Sequence, residues 1–166
     1  GPTQEWAATH DGEWPKFEAQ DPTYRRPGKE LGKGNFAKIP NGLPAIEDRM
    51  IMQWNTGVNS GIISPSRFVE LNCTNPAKIF GMYPRKGTIA VGSDADIAVW
   101  DPEKTHTISA QTHHMRTDYN LFEGTQVKGM PVIVYSRGRK LVDGDQWHGT
   151  NGSGQLIKRT PHAAIL

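Results

Sequence analysis

The sequence has a single cysteine, Cys73, in 166 residues. An intrachain disulfide is therefore excluded, and a reducing compartment, the cytoplasm, is the expected location. Cys73 lies in an apolar-periodic stretch without a basic neighbour, so it is expected to be a buried, inert thiol. No apolar run approaches the ~20 residues of a membrane-spanning helix, and no membrane partner is expected. Neither sign of charge dominates: 19 Lys and Arg face 17 Asp and Glu, a net charge of +2. The densest basic runs are Arg25-Arg26 with Lys29, and Arg137-Gly138-Arg139-Lys140. Runs this short more often sit in solvated turns than on phosphate, so no nucleic-acid partner is expected.

Apolar residues make up only 36% of the chain, while glycine (18) and proline (12) are plentiful. A loop-rich domain with short elements fits this balance; collagen, coiled coil and wholesale disorder do not. The chain opens on Gly1-Pro2 rather than methionine, which reads as the remnant of a removed tag on a piece of a longer protein.

Residues 1 to about 35 carry Trp6, Trp14 and Phe17 without a period and read as an irregular lead-in. Lys33-Gly34-Asn35 and Pro40-Asn41-Gly42 are turn signals. From Pro44 a helix is expected, with Ile46, Met50, Trp54 and Val58 on one stripe and Gly57 and Gly61 at its end. Ser64-Pro65 reads as the cap and first residue of a second helix burying Phe68, Val69 and Leu71. Asn75-Pro76 repeats the device for a short third helix stopped by Gly81.

The period then changes. Thr88–Val91, Ile97–Trp100 and Val132–Tyr135 are β-branched runs bounded by turns. Arg137-Gly138 is expected to return the chain into Lys140–Val142, and Asp143-Gly144 to turn it again towards Gln146-Trp147. Gln155 to Leu166 reads as a terminal strand and arm. Helices first and strands later give an α+β arrangement. With no helical crossovers, the sheet is expected to be antiparallel or mixed. The helical part lacks a complete core of its own.

Few residues suggest chemistry directly. The six histidines are His10, His106, His113, His114, His148 and His162, with no H-x-H or HExxH spacing. His113 and His114, taken as strand neighbours, point to opposite faces and cannot readily share an ion. No G-x-S-x-G elbow occurs, and Ser109 and Ser136 sit where hydroxyls usually satisfy the backbone. Gly32-Lys33-Gly34-Asn35 lacks the G-K-[ST] ending of a phosphate loop. In His10-Asp11 the aspartate is either a turn cap or a base beside a metal-bound water.

From Lys29 onward a series of stretches carries a family likeness. They include Glu30–Phe36, Lys38–Gly42, Ile46–Met50, Arg67–Leu71 and Thr74–Gly81. Next come Tyr83-Pro84-Arg85-Lys86-Gly87, Gly92-Ser93-Asp94-Ala95-Asp96, Thr107–Ala110, Thr112-His113-His114, Asp118-Tyr119-Asn120 and Phe122-Glu123-Gly124. In this order they resemble the C-terminal part of the D-hydantoinase/dihydropyrimidinase family of cyclic amidohydrolases. Nonenzymatic dihydropyrimidinase-related proteins share the Y-P-R-K-G and G-S-D-A-D stretches; Pro40-Asn41-Gly42 and Thr112-His113-His114 look more like the bacterial hydantoinases.

The resemblance implies a fold and a division of labour. Residues 1–82 would be the last segment and helices of a metal-dependent (β/α)₈ barrel, with 1–28 divergent or irregular. Residues 83–150 would be the C-terminal share of a β-sandwich, and 151–166 a tail. The family's two zinc ions are held by histidines, a carboxylated lysine and an aspartate, mainly in a portion upstream of this chain; no metal ligand is expected here. The family's substrate-binding asparagine corresponds to Asn41, whose backbone would meet the cyclic amide. The catalytic aspartate, in an S/T-D-H stretch, has its nearest counterpart in Asp11 of Thr9-His10-Asp11, where histidine and aspartate stand in inverted order. The implied activity is opening of the ring amide of hydantoins or dihydropyrimidines by metal-activated water, with this chain inactive alone. An N-terminal barrel chain or a homo-oligomer is the implied partner. The alternative is a noncatalytic assembly module or a dead paralogue of the same family.

Overall fold

The computed structural model describes residues 28–161. Trp6, Asp11, Trp14, Phe17 and the last five residues lie outside them. The described part starts with two single turns of tight helix, Lys29–Gly32 and Phe36–Lys38. This part of the expected irregular lead-in is therefore ordered. Asn35 caps the second turn, its Oδ1 accepting from the Ala37 amide at 3.1 Å.

Helix α1, Arg49–Gln53, begins later than Pro44 and runs directly into a wide, π-helical turn, Trp54–Val58. The extra residue in that turn rotates the faces, so a four-residue repeat does not stay on one side. Ile46 precedes the helix and is 85% exposed, while Ile51 is the buried residue. Gly61, at φ 75°, ends the segment as expected.

Helix α2, Pro65–Val69, starts at Ser64, whose Oγ accepts from the Arg67 amide at 3.1 Å. Phe68 is buried, but Val69 and Leu71 are exposed. A second wide turn, Glu70–Thr74, carries α2 without a break into α3, Asn75–Ile79. The Asn75 N–H bonds the Glu70 carbonyl five residues back, and this wider winding accommodates Pro76, which has no N–H to give. Asn75-Pro76 thus continues a helix rather than starting a separate one. Gly81, at φ 65°, stops it.

Strands β1 (Ile97–Thr107), β2 (Gln126–Ser136), β3 (Arg139–Asp143) and β4 (Gln146–Trp147) form one antiparallel sheet in chain order. β1 and β2 run longer than their β-branched cores. A break in the β1–β2 register between Asp101 and Thr105 absorbs Pro102. There Asp101 Oδ1 accepts from the Glu103 and Lys104 amides. Arg137 (φ 49°) and Gly138 (φ 75°) make the tight turn expected between β2 and β3.

Thr88–Val91 is not a strand. Glycines in left-handed conformation bracket it, Gly87 at φ 81° and Gly92 at φ 90°. No strand among the described residues pairs with it, and Ile89 and Val91 stand exposed. The expected terminal strand is likewise absent from Gln155 to Pro161; the arm is held by Thr160, which donates its N–H to the Gly81 carbonyl at 3.0 Å.

The core joins helix to sheet. Ile51, Ile108 and Val127 are its buried members, with Met52, Trp100, Phe122 and Met130 against them. Trp54, Phe68 and Trp100 add an aromatic cluster with ring centroids 5.1–5.5 Å apart. As expected, the helices do not close a core by themselves.

Candidate substrate-binding site

The site is built from residues 28–42 and the loop 113–122. Asn41 sits on an exposed bend between Pro40 and Gly42. Gly42 adopts φ 85°, which a side chain would disfavour. The Lys29 ammonium donates to the Pro40 carbonyl at 2.7 Å and to the Gly42 carbonyl at 3.0 Å, spanning Asn41. The same ammonium lies 5.2 Å from the centroid of the Tyr119 ring. Tyr119 in turn donates its hydroxyl to Gly42 O at 3.3 Å. Among the described residues, nothing takes the backbone N–H or C=O of Asn41 itself.

Asp118, Tyr119 and Asn120 each hold a different segment. Asp118 Oδ2 accepts from the Gly28 amide at 2.9 Å. A Cβ on Gly28 would run into Asp118 and the Tyr119 ring, so glycine is what permits this approach. Tyr119 secures Gly42. Asn120 is buried, and its Nδ2 donates to Asp48 Oδ2 at 2.7 Å, just before α1. That Nδ2 also lies 3.2 Å from His113 Nδ1, while His113 Nε2 lies 2.9 Å from the Thr117 carbonyl. The carbonyl contact calls for an N–H at His113 Nε2. Asp48, His113 and Asn120 are all buried, and the bonds through Asn120 hold the loop against the helix.

His113 and His114 occupy a loop, not a strand. The loop still separates them: His113 is buried, while His114 is exposed with Nδ1 2.8 Å from Glu47 Oε1. Among the described residues no three His, Cys, Asp or Glu side chains converge as a metal shell. Asp11 lies outside the described residues. The sequence assigns neither Lys29 nor Asp118-Tyr119-Asn120 to a site: Lys29 stands beside a short basic run where the family likeness begins, and Asp118-Tyr119-Asn120 is one of the matching stretches.

The sequence model of the amidohydrolase family matches residues 37–141. The chain is 49% identical over 144 residues to dihydropyrimidinase of Rattus norvegicus, covering 87% of this chain and 28% of that protein. It is 50% identical over 138 residues to D-hydantoinase of Geobacillus stearothermophilus, covering 83% and 29%. The chain belongs to the amidohydrolase family, in its dihydropyrimidinase and D-hydantoinase branch.

The fold agrees. D-hydantoinase from Bacillus sp. AR9 superposes with a TM-score of 0.77 at 55% identity, over 82% of this chain and 30% of that one. Dihydropyrimidinase from Brevibacillus agri gives 0.78 at 52% identity, again over 82% and 30%. This amidohydrolase chain thus spans less than a third of the length of the relatives it matches.

Two of the family stretches, Y-P-R-K-G and G-S-D-A-D, form one charged cluster. Lys86 bonds both Asp94, at 2.9 Å, and Asp96, and Arg85 Nε reaches Asp94 at 3.0 Å. Asp96 Oδ1 also accepts from the Arg137 amide at 2.8 Å, tying the cluster to the β2–β3 turn. Arg137 Nη2 donates to Ser153 O and Lys140 pairs with Asp143, so this basic run makes internal contacts. Hydrogen bonds from Lys86 and Arg85 hold the Asp94 carboxyl below its ordinary range. Asp96 is lowered too: burial opposes its charge, but the Lys86 and Arg137 contacts outweigh that. For Lys86, burial opposes charging, and the hydrogen bonds to Asp96 and Asp94 nevertheless raise it.

These shifts set the sign of a pH effect. Carboxyls with lowered folded values stabilise at neutral pH, and that contribution disappears as pH falls through those values. Raised Lys86 loses its share only at the alkaline end. In the Lys86→Met variant, the deficit in urea midpoint is expected to be largest at neutral pH and to shrink by about pH 3. A deficit unchanged across that range would show that the ion pairs do not contribute.

Cys73 is exposed rather than buried. The wide turn between buried Phe68 and buried Ala77 takes it off their face. Partial burial of its thiol still raises its value, which leaves little thiolate at neutral pH.

Proposed function

We propose that this chain is the C-terminal portion of a hydrolase that opens the ring amide of hydantoins or dihydropyrimidines, and that Asn41 meets the substrate. The observation that carries the reading is the pair of open peptide groups of Asn41, on a loop whose flanking carbonyls are already bonded. A ring amide offers an N–H and a C=O; the Asn41 peptide groups offer the complementary acceptor and donor. The contribution is alignment of the scissile ring. Asp11 is assigned proton transfer to the leaving nitrogen. Among the described residues no three His, Cys, Asp or Glu side chains converge, and no step through the family's zinc is assigned to them.

In this reading 1–82 closes a barrel, 83–150 contributes to a sandwich and 151–166 is a tail. The exposed Ile89 and Val91, on an unpaired β-branched run, support it, since such residues are ordinarily covered.

A chimera tests the proposal: residues 28–161 replace the matching stretch of the Geobacillus stearothermophilus D-hydantoinase. The 166-residue chain with added zinc is expected to turn over neither hydantoin nor dihydrouracil, whereas the chimera turns over at least one. Turnover by the chain alone overturns the fragment reading. A folded, zinc-loaded but inert chimera overturns the hydrolase reading in favour of an assembly module.

A further inference from the structure

We infer that Lys29 is the positioning residue of the substrate loop, fixing the direction in which the Asn41 peptide groups point. This rests on the reading of Asn41 as the substrate contact. The geometry is specific. One ammonium reaches the carbonyls immediately before and after Asn41, at 2.7 and 3.0 Å, from a residue eleven positions upstream of Pro40. Bonding both carbonyls to a single centre limits rotation of the Pro40–Asn41 peptide plane and of the Gly42–Leu43 plane, the two on either side of the Asn41–Gly42 peptide. The peptide N–H of Asn41 belongs to the plane that contains Pro40 O, and its C=O to the plane that contains the Gly42 N–H. Holding Pro40 O therefore sets the Asn41 N–H directly.

The clamp is itself braced. The Tyr119 ring lies beside the ammonium, and the Tyr119 hydroxyl takes a further position on Gly42 O. Lys29 starts the Lys29–Gly32 turn, and Gly28 before it is anchored on Asp118. The stem of the lysine thus rises from backbone fixed at its base. An ammonium supplies three donors on a flexible stem, which suits two diverging carbonyls; an arginine retains charge and donors but presents them in a planar fork. A methionine keeps the apolar stem and removes every donor.

The chimera described above provides the test, with Lys29→Met, Lys29→Arg and Asn41→Pro compared for hydantoin hydrolysis. Lys29→Met is expected to lower kcat/KM about tenfold, chiefly through KM, with zinc content and melting temperature close to the parent. Lys29→Arg is expected to recover at least about a third of the parent kcat/KM. A Lys29→Met value within about twofold of the parent overturns the inference. So does a loss that tracks zinc content and melting temperature and is equal in the arginine variant, since that marks a purely structural role. If Asn41→Pro is harmless, the Asn41 reading fails instead; if Asn41→Pro is damaging and Lys29→Met is not, only the Lys29 inference falls.

Discussion

Asn41→Pro in the chimera is expected to lower kcat/KM for hydantoin about 100-fold, whereas Asn41→Ala stays within about threefold of the parent. The contrast follows from which atoms of Asn41 are proposed to act. Alanine keeps the peptide N–H and C=O and deletes only the side-chain amide. Proline deletes the N–H, so a ring carbonyl desolvated in the site loses its donor. Leaving a buried acceptor unpaired costs about 1–3 kcal/mol, roughly one to two decades in rate. The substitution falls on an exposed bend. No described hydrogen bond uses the Asn41 N–H, so proline breaks no internal contact there. Steady-state kinetics with zinc content and melting temperature as controls check the prediction. Equal losses in both variants would move the contact to the side chain, and an active proline variant would remove Asn41 from the site.

What was legible in the sequence was local. Ser64-Pro65 gave its helix start because a hydroxyl cap followed by proline acts within one turn. Arg137-Gly138 gave its hairpin because two left-handed residues admit few other paths. The errors share a cause, which is that partners distant in the chain were invisible. Ile46, Met50, Trp54 and Val58 have the spacing of one stripe, but the helix starts only at Arg49, past Ile46, and Ile51 is its buried residue. Thr88–Val91 has strand composition, but a strand needs a neighbour, and none of the described residues supplies one.

The site divides in the same way. Asn41 was reached through a family stretch, Lys38–Gly42, without any indication of what holds it. Lys29 passed as part of a short basic run, and Asp118-Tyr119-Asn120 as a match without a task. Their roles depend on contacts across 11 to 90 positions of chain. The Y-P-R-K-G and G-S-D-A-D stretches carry the family likeness, and they form an ion-pair cluster tied to the β2–β3 turn, apart from Asn41. A stretch can thus mark the family through an ion-pair cluster that ties the chain together.

The largest expected effect on stability belongs to a residue that no motif marks. Gly129→Ala is expected to destabilise the chain by about 2–4 kcal/mol, against about 1 kcal/mol for Gly124→Ala. Both glycines have positive φ, 92° and 77°, so each substitution incurs the cost of a left-handed alanine. Their surroundings differ. Nothing lies near a Cβ at Gly124, whereas a Cβ at Gly129 would overlap the Trp54 indole and press on Trp100 Nε1. Trp54 cannot simply withdraw, because Phe68 stands edge-on to it at 5.2 Å and Trp100 lies at 5.1 Å. Relief would require moving α1 off β2 or reopening the aromatic cluster that joins α2 to the sheet, and overpacking of this kind typically costs about 1–3 kcal/mol beyond the backbone term. Among the described residues, the buried indole N–H groups of Trp54 and Trp100 find no hydrogen-bond partner. Urea unfolding followed by tryptophan fluorescence measures both variants, with Trp54 and Trp100 reporting on the cluster itself. Equal midpoint shifts for the two substitutions would show that backbone conformation alone accounts for the glycine and that the indole contact at Gly129 contributes nothing.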